Sequence, residues 1–328
     1  MHDDITDVPG LRVGHAEDTK ALTGCTAILC ESGAVAGMDL RGMASGTRQA
    51  DSLGVLHAVE KVHAIFLTGG SAFGLDAAAG VMSYLEGRGV GLITPFAVIP
   101  IVPTAVIFDL SLGDPHVRPT PEMAREACLA ATAGPVPQGS VGAGTGASVG
   151  KYHGIGRAMK GGLGSASVRG VGNVVVGALA VVNAFGDVIE PSTGEVLAGL
   201  RDAPEGRRLA RTSSELRQGV PRQIVTLENT TLVVVATNVM LSKPQATKVA
   251  QMAQVGLART ISPAHSPQDG DVVFCLSLGE SNGDLHHVGA LAQEATSLAI
   301  VRAVKSADGF GVIPAWKDIF PSRLPRRP

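Results

Sequence analysis

Residues 228–238 read Glu-Asn-Thr-Thr-Leu-Val-Val-Val-Ala-Thr-Asn. A polar turn leads here into an aliphatic run, Leu232–Ala236, that is too apolar for a strand with one solvated face. The stretch therefore predicts a strand that is buried on both faces, inside a layered structure.

Similar aliphatic runs recur along the chain and alternate with helical patterns. Further strands are predicted at Thr26–Leu29, His63–Leu67, Asn173–Val182 and Val272–Leu278. Helices are predicted after Gly69-Gly70-Ser71, after Ser242-Lys243-Pro244, and from about Leu285 to Lys305. No stretch has the composition of a flexible linker, so the pattern predicts one large α/β domain over residues 1–328.

The composition excludes several classes of partner. The chain has 328 residues with a formal net charge of -2, which gives no electrostatic reason to expect nucleic acid or an anionic membrane. Aromatic residues make up 3% of the chain, too few for platforms that stack bases. The 45% of hydrophobic residues are enough for a substantial core.

One uncharged segment, Gly89–Phe108, has about the length of a membrane-spanning helix. It contains three prolines, which remove amide donors and interrupt a helix. Val98-Ile99 and Val106-Ile107 instead favour short buried strands around a turn. We therefore expect no membrane span here.

The first four residues are acidic rather than basic and apolar, and the four cysteines form no CxxC pair. Both features indicate a cytoplasmic protein with buried, reduced thiols. The glycine loops at residues 142–151 and 160–164 lack the spacing of a P-loop or a dinucleotide fingerprint. No HExxH motif or cysteine cluster is present, and His286-His287 diverge on a helix, so neither a cofactor nor a metal is expected.

Three polar segments lie beside the predicted strands. Asn229-Thr230 precedes one strand, Asp269-Gly270-Asp271 precedes another, and Asn183 follows a third. Each segment alone is typical of an ordinary turn or strand end. A Gly-x-Ser-x-Gly elbow is missing from the sequence, so any nucleophile is activated in another way.

Together, these segments resemble a known family. The resemblance rests on residues 228–238, on Asp269-Gly270-Asp271, and on residues 141–151, 181–186 and 6–15, in order over nearly the whole chain. The sequence is similar to the D-aminopeptidase/β-aminopeptidase family, which includes the nylon-oligomer endo-hydrolases. That family belongs with the self-cleaving N-terminal-nucleophile hydrolases.

The resemblance implies that Thr230 is the nucleophile and that the Asn229–Thr230 bond is the cleavage site. The Thr230 hydroxyl would attack the Asn229 carbonyl, and hydrolysis of the resulting ester would leave an α-subunit, 1–229, and a β-subunit, 230–328. The new α-amine, with an unperturbed pKa of about 8, would then act as the base for the hydroxyl.

Four other positions match residues near the nucleophile of the family. Lys151 and Asn183 are implied as donors to the tetrahedral oxyanion. Asp269 and Asp271 match an acidic pair of the nylon-hydrolase branch, implied to orient Thr230 and to hold its ammonium or Lys151. Phe108 departs from the pattern, because some relatives carry a catalytic tyrosine there; the hydroxyl is then dispensable, or Tyr152 or water replaces it.

The family fold is a four-layer α/β/β/α sandwich with two mixed sheets flanked by helices, and its members assemble as homotetramers of αβ units. The resemblance thus implies an aminopeptidase acting on small peptides or amino-acid amides. Two other activities stay open, an endo-amidase on nylon-type oligomers and an acyl transferase of the ornithine-acetyltransferase type. A third hypothesis is a non-catalytic binding protein with this fold. The joint presence of Asn229-Thr230, Lys151 and Asn183 argues against it.

Overall fold

The structure is a computed structural model that describes residues 1–222 and 229–323, so Glu228 lies outside the described residues. Its α-helices are α1 Ala78–Glu86, α2 Pro121–Ala130, α3 Thr212–Arg217, α4 Lys243–Thr260, α5 Leu285–Ser306 and α6 Trp316–Ile319. Its strands are β1 Arg12–Asp18, β2 Thr23–Leu40, β3 Thr47–Arg48, β4 Lys61–Thr68, β5 Leu92–Ile93, β6 Val98–Ile99, β7 Thr104–Val106, β8 Ser148–Val149, β9 Met159–Lys160, β10 Gly162–Arg169, β11 Val175–Asn183, β12 Asp187–Ile189, β13 Val196–Ala198, β14 Thr230–Val239, β15 Ile261–Ser262 and β16 Val272–Ser281.

A mixed sheet of nine strands organises the molecule. Its order is β10-β11-β14-β16-β2-β4-β7-β3, with β1 added on β2. The pairs β14–β16 and β4–β7 are parallel, and the other pairs of this sheet are antiparallel. The long strand β2 changes partners along its length: its first half pairs with β1 and β4, and its second half pairs with β16 and, at Ala34 and Val35, still with β4.

This change of partners lets one hydrogen-bonded sheet form two packed layers. The strands β10, β11, β14 and β16 pack one face against α4 and α5, while β2 and β4 pack one face against α1 and α2. The remaining faces of both layers meet in a shared core that includes Ile28, Ile65, Leu179, Val234 and Phe274. The predicted four-layer α/β/β/α arrangement is confirmed, with β2 joining the two sheet layers.

Strand β14 shows why an uninterrupted aliphatic run was needed. Val233 and Val235 face the helices α4 and α5, whereas Leu232, Val234 and Ala236 face the second sheet layer. Successive side chains of a strand point to opposite faces, so a strand between two apolar layers requires apolar residues at every position. The prediction of a strand buried on both faces is confirmed.

The two long helices begin at capping residues that the sequence contains. Ser242 and Gln245 form a capping box at the start of α4, and Pro244 lies in the first turn, where its missing amide costs nothing. Asp284 caps α5 by accepting the amide of His287. Both helices start where the sequence predicts.

The uncharged segment 89–108 differs from the prediction at one of its two predicted strands. Val106 is buried in β7 as expected, but β5 and β6 form an exposed hairpin, and Ile99 is 40% exposed. The prediction of a buried strand at Val98-Ile99 is therefore wrong, because prolines on both sides turn the chain out of the core. Within residues 1–222 and 229–323, no helix is long and apolar enough to cross a membrane.

The four cysteines are free and buried, as expected. Burial raises the pKa of the Cys30 and Cys275 thiols to about 12. A thiol that stays protonated is a poor nucleophile and a poor metal ligand, so these side chains serve as small apolar core residues.

Strand ends from both layers meet at one edge of the sheet. Thr230, the first residue of β14, pairs directly with Asn183, the last residue of β11. Leu232 is in register with Val272, so Asp271 lies next to the start of β14. The ends of β4 and β7 in the second layer lead to Ser71 and Phe108, which lie at the same place. The tertiary fold thus brings together segments that are far apart in the sequence.

Candidate active site

The Asn229–Thr230 peptide is held from two sides. The Thr230 Oγ1 hydroxyl donates to the Asn229 carbonyl oxygen at 2.5 Å, and the Gly270 amide donates to the same oxygen at 2.8 Å. Thr230 is 4% exposed. A carbonyl oxygen that accepts two hydrogen bonds is polarised, which makes its carbon more susceptible to attack.

Lys151 and Asn183 form a fixed pair beside this peptide. The Lys151 ammonium donates to the backbone oxygen of Asn183 at 3.0 Å and to its side-chain oxygen at 2.8 Å. The Asn183 side-chain oxygen also accepts the Ser148 amide at 3.0 Å, and its NH2 group donates to the Phe108 carbonyl at 3.0 Å. These contacts determine which end of the Asn183 amide is the donor.

The carboxylates of Asp269 and Asp271 bind backbone amides. Asp269 accepts the amides of Phe185 at 3.1 Å and Ser266 at 2.8 Å. Asp271 accepts the amide of Thr231 at 2.7 Å, and its other oxygen accepts the amide of His265 at 3.1 Å. The pair therefore fixes the residue that follows Thr230 in the chain and the segment that follows Asn183.

Gly270 separates the two carboxylates and lies against the nucleophile. A Cβ atom at this position would lie 2.8 Å from Thr230 Oγ1 and 2.7 Å from the Ala44 carbonyl oxygen. Only glycine permits so close an approach between this backbone and the hydroxyl. Glycine is thus required at position 270 for a steric reason, in addition to the hydrogen bonds made by the two aspartates.

Burial and mutual repulsion act on the acidic pair. Burial and, second, the nearby charge of Asp271 raise the pKa of Asp269 to about 6. The hydrogen bonds from the Ser266 and Phe185 amides act in the opposite direction, because they stabilise the ionised form. Asp269 therefore titrates much closer to neutrality than an ordinary aspartate.

A small cleft of about 140 Å³ opens onto Thr230. Its walls come from residues 44–46 after β2, from Ser71 and Ala72 after β4, and from Val106 and Phe108 at the end of β7. The backbone of Ser71 has a φ of 54°, in the left-handed region, and its amide donates to the Ile107 carbonyl at 3.0 Å. The second sheet layer thus provides walls of the small cleft beside Thr230.

Phe108 stands where some relatives carry a tyrosine, and the structure shows which groups surround it. Phe108 lines the cleft beside Thr230, and its backbone carbonyl accepts a hydrogen bond from the Asn183 NH2 group. Tyr152 donates its hydroxyl to the Val220 carbonyl at 2.6 Å and packs on Phe185. The Tyr152 hydroxyl is therefore committed to a backbone partner.

The structure brings all the candidate residues together: Asn229, Thr230, Lys151, Asn183, Asp269 and Asp271. The sequence did not predict a role for the Gly270 amide, the loop 44–46 or His265, whose Nδ1 lies 2.9 Å from Asp271. Backbone amides carry no signature in a sequence, and residues 44–46 are small and uncharged. Of these features, only Gly270 could be noticed in the sequence, because it lies between two aspartates.

Two solved structures share this fold. The L-aminopeptidase D-Ala-esterase/amidase of Ochrobactrum anthropi, a variant of the Ntn-hydrolase fold, has a TM-score of 0.72 at 21% identity, over 94% of this chain and 87% of that chain. A Burkholderia sp. β-aminopeptidase has a TM-score of 0.68 at 23% identity, over 100% and 96% of the two chains. The fold is therefore that of the Ntn hydrolases.

The chain belongs to Peptidase family S58, which matches residues 3–312. An uncharacterized aminopeptidase of Mycobacterium leprae (strain TN) is 40% identical over 349 residues, covering 97% of this chain and 94% of the relative. A 6-aminohexanoate-oligomer endohydrolase of Kocuria sp. (strain KY2) is 32% identical over 315 residues, covering 91% and 85%. The predicted family, the fold class and an amide-hydrolase activity are confirmed.

Proposed function

We propose that this hydrolase cleaves its own Asn229–Thr230 bond and then uses Thr230 as its catalytic nucleophile. The observation that supports this proposal is the double contact on the Asn229 carbonyl oxygen, from Thr230 Oγ1 at 2.5 Å and from the Gly270 amide at 2.8 Å. The hydroxyl lies next to the carbonyl that it has to attack, and a donor is already in place for the developing negative charge.

In the self-cleavage, Thr230 Oγ1 adds to the Asn229 carbonyl carbon and its proton passes to the departing amide nitrogen. The product is an ester between Asn229 and the Thr230 side chain, with a free α-amine on Thr230. Water hydrolyses the ester, which leaves a carboxylate on Asn229 and restores the hydroxyl. The predicted chains are then 1–229 and 230–328.

In turnover, the free α-amine of Thr230 takes the proton of its own hydroxyl as Oγ1 attacks a substrate amide. An unperturbed α-amine has a pKa of about 8, close to neutral pH, which suits a general base. The resulting ammonium returns the proton to the leaving amine, and water then hydrolyses the acyl-enzyme ester. Once residue 229 has departed, the Gly270 amide can donate to the substrate carbonyl oxygen.

We further infer that Lys151 and Asn183 support the same oxyanion, although the Asn183 NH2 group also donates to the Phe108 carbonyl at 3.0 Å. The Asn183 NH2 group is the donor of this pair, and the Lys151 ammonium, at 2.8 Å from the Asn183 side-chain oxygen, polarises that amide. Lys151 thus acts through Asn183 as a positioning residue. Asp269 and Asp271 act through the backbone, since Asp271 fixes the amide of Thr231.

Self-cleavage is tested by the intact mass of the purified protein after incubation. We expect two chains that begin at Met1 and Thr230; Thr230→Ala stays a single inactive chain, while Thr230→Ser keeps a hydroxyl and is cleaved. A cut at another bond, or an active uncleaved wild type, would refute the proposal. Assembly as a homotetramer of αβ units and a cytoplasmic location stay predictions from the sequence.

An endo-amidase is the second candidate function. It is favoured by the similarity to the Kocuria enzyme, whose name states that it hydrolyses 6-aminohexanoate oligomers internally, and by the acidic pair Asp269 and Asp271. An acyl transferase would release its acyl group to an amine such as ornithine rather than to water. Product analysis with and without ornithine separates transfer from hydrolysis.

A further inference from the structure

Lys160 is a fully buried lysine that the proposed reaction has not yet used. It lies in β9, opposite Ser148 of the short strand β8. Its ammonium donates to the carbonyl oxygens of Ala147 at 2.9 Å and Gly144 at 3.3 Å. Burying a cation is costly, and an apolar side chain of similar volume fills such a space without that cost. The charge at this position therefore needs a reason other than packing.

The peptide group between Ala147 and Ser148 connects Lys160 to Asn183. The carbonyl oxygen of this peptide accepts the Lys160 ammonium. Its N–H, which belongs to Ser148, donates to the Asn183 side-chain oxygen at 3.0 Å. A hydrogen bond at one end of a peptide group polarises the group and strengthens the hydrogen bond at the other end. The Lys160 charge therefore strengthens a contact that fixes the Asn183 amide.

Two lysines thus act on one side-chain amide. Lys151 donates directly to the Asn183 side-chain oxygen at 2.8 Å, whereas Lys160 acts through the intervening peptide. Both draw electron density toward this oxygen, so the NH2 group of Asn183 becomes a stronger donor. The Phe108 carbonyl accepts that NH2 group at 3.0 Å. These contacts determine both the orientation and the donor strength of the Asn183 amide.

The charged groups around Lys160 are carboxylates. Burial lowers the pKa of Lys160 to about 7, and the charges of Asp109 and Asp308 oppose this effect because they stabilise the cation. Asp109 is itself held by the Gly70 amide and the Thr23 hydroxyl, both at 2.7 Å. The protonated form of Lys160 is therefore favoured below neutral pH.

We propose that Lys160 is a positioning residue of the active site, whose ammonium orients and polarises the Asn183 side chain through the Ala147–Ser148 peptide. This inference rests on the proposed role of Asn183 as a donor to the oxyanion. Lys160 acts on the reaction only through Asn183. A neutral side chain at position 160 leaves the Asn183 amide in place but weakens it as a donor.

The backbone provides other partners for both carbonyls that bind Lys160. The Ala147 carbonyl also accepts the Gly161 amide at 2.9 Å, and the Gly144 carbonyl accepts the Ala147 amide at 3.2 Å. Lys160→Met therefore removes the charge without leaving either carbonyl unpaired. We expect this variant to fold, so that its activity reports on Asn183.

The first measurement is turnover by fully cleaved protein, slightly below neutral pH. The substrate is the one that the wild type turns over fastest among the p-nitroanilides of alanine, leucine and phenylalanine and a 6-aminohexanoate oligomer. Lys160→Met should lower kcat by roughly three- to tenfold and leave KM within about twofold, because the oxyanion exists only during the reaction. Wild-type kcat, or a loss confined to KM, would overturn the inference.

A double-mutant cycle with Asn183→Ala tests the route of the effect. In the Asn183→Ala background, Lys160→Met should change kcat by less than about twofold, because the group through which Lys160 acts has been removed. An undiminished loss in that background would show that Lys160 acts elsewhere, which contradicts the proposed route.

Lys243→Met is the matched control. Lys243 is also a buried lysine that binds backbone carbonyls, here in the segment between β3 and β4: Ser52 at 3.0 Å, His57 at 3.3 Å and Val59 at 2.8 Å. We expect Lys243→Met to lower Tm but to keep kcat within about twofold of wild type. An equal loss of kcat in the control would mean that removing any buried ammonium impairs turnover, and the inference would fall.

Lys160→Gln is a second neutral variant, which keeps a donor in the buried space if Lys160→Met does not fold. If neither variant shows a cooperative thermal transition, Lys160 is required for the fold itself and the inference is wrong. Failure of the underlying proposal gives a different result. Cleaved Asn183→Ala then has the kcat of the wild type, whichever residue occupies position 160.

Discussion

Two regions beside Thr230 can be compared. The first is the nucleophile turn, Asp269-Gly270-Asp271, and the second is the cleft wall, which consists of residues 70–72 with Phe108 and Asp109. Both hold a buried carboxylate on backbone amides. In the nucleophile turn these amides include that of Thr231, next to the reacting hydroxyl. In the cleft wall the amide is that of Gly70, so Asp109 holds the shape of the substrate space.

The two regions also differ in their charged neighbours. Burial raises the pKa of Asp109, and burial lowers the pKa of the nearby Lys160 to about 7. Lys160 is fully buried and donates to the Ala147 carbonyl at 2.9 Å. Asp271 instead faces His265, which is 24% exposed in its side chain. Asp109 is thus close to a fully buried lysine, whereas Asp271 faces a partly exposed histidine.

The largest effect is expected for Gly270→Ala. The new Cβ would lie 2.8 Å from Thr230 Oγ1, closer than side-chain carbons approach, so either the hydroxyl or the turn has to move. A displacement of about 1 Å at the reacting atoms costs on the order of 10²-fold in rate. The measurement is the rate of self-cleavage by mass spectrometry.

Gly156→Ala is the matched control, because its Cβ would meet nothing within 4 Å. It should be cleaved at the wild-type rate. Wild-type cleavage of Gly270→Ala would show that the close approach of this turn has no role in the reaction.

Asp271→Asn is expected to have the next largest effect. The variant keeps the shape but removes the charge that holds the Thr231 amide at 2.7 Å. Charge-assisted hydrogen bonds contribute about 1.5–3 kcal/mol each, so kcat should fall roughly ten- to a hundredfold in protein whose cleavage is confirmed by mass. Thermal stability should change less than activity. Full activity of Asp271→Asn would show that the turn has only a structural role.

Asp109→Asn should have a smaller and different effect. Asparagine still offers an oxygen to the Gly70 amide, which Asp109 accepts at 2.7 Å, and no contact of Asp109 within the described residues reaches Thr230. We expect self-cleavage within about threefold of wild type and KM raised by roughly three- to tenfold, through a looser cleft wall. A cleavage defect as large as that of Asp271→Asn would erase the distinction between the two regions.

The smallest effect concerns the pH dependence of stability at Asp269. Its pKa is raised from 3.8 to about 6 in the folded chain, so the folded state binds more protons than the unfolded state between these values. The carboxylate therefore destabilises the fold increasingly as pH rises from 3.8 to 6, and fully above 6. Asp269→Asn removes this penalty.

The Tm difference between Asp269→Asn and its parent should thus increase by roughly 2–4 °C from pH 4 to pH 7.5. Both proteins carry Thr230→Ala, which keeps them uncleaved and makes the unfolding transitions comparable. A constant difference across this range would show that Asp269 keeps its ordinary pKa in the fold.

Local sequence patterns predicted the layers, and the motifs around Thr230 predicted the family. The aliphatic run of β14 required apolar neighbours on both faces, and capping residues located the starts of α4 and α5. These signals are local, since periodicity and capping depend on residues within a turn or a strand. Asn229-Thr230 and its companion motifs identified the family without any knowledge of strand order.

The surroundings of Thr230 could not be predicted from these local patterns. The pairing of Thr230 with Asn183 and the cleft walls at residues 44–46 and Ser71 depend on contacts between distant segments. The partners of Asp269 and Asp271 are backbone amides, which every sequence contains and none reveals. Hydrophobic burial determines which strands and helices pack into layers, and local patterns are enough to predict it. The loops at the ends of these strands become neighbours only when β2 joins the two sheet layers.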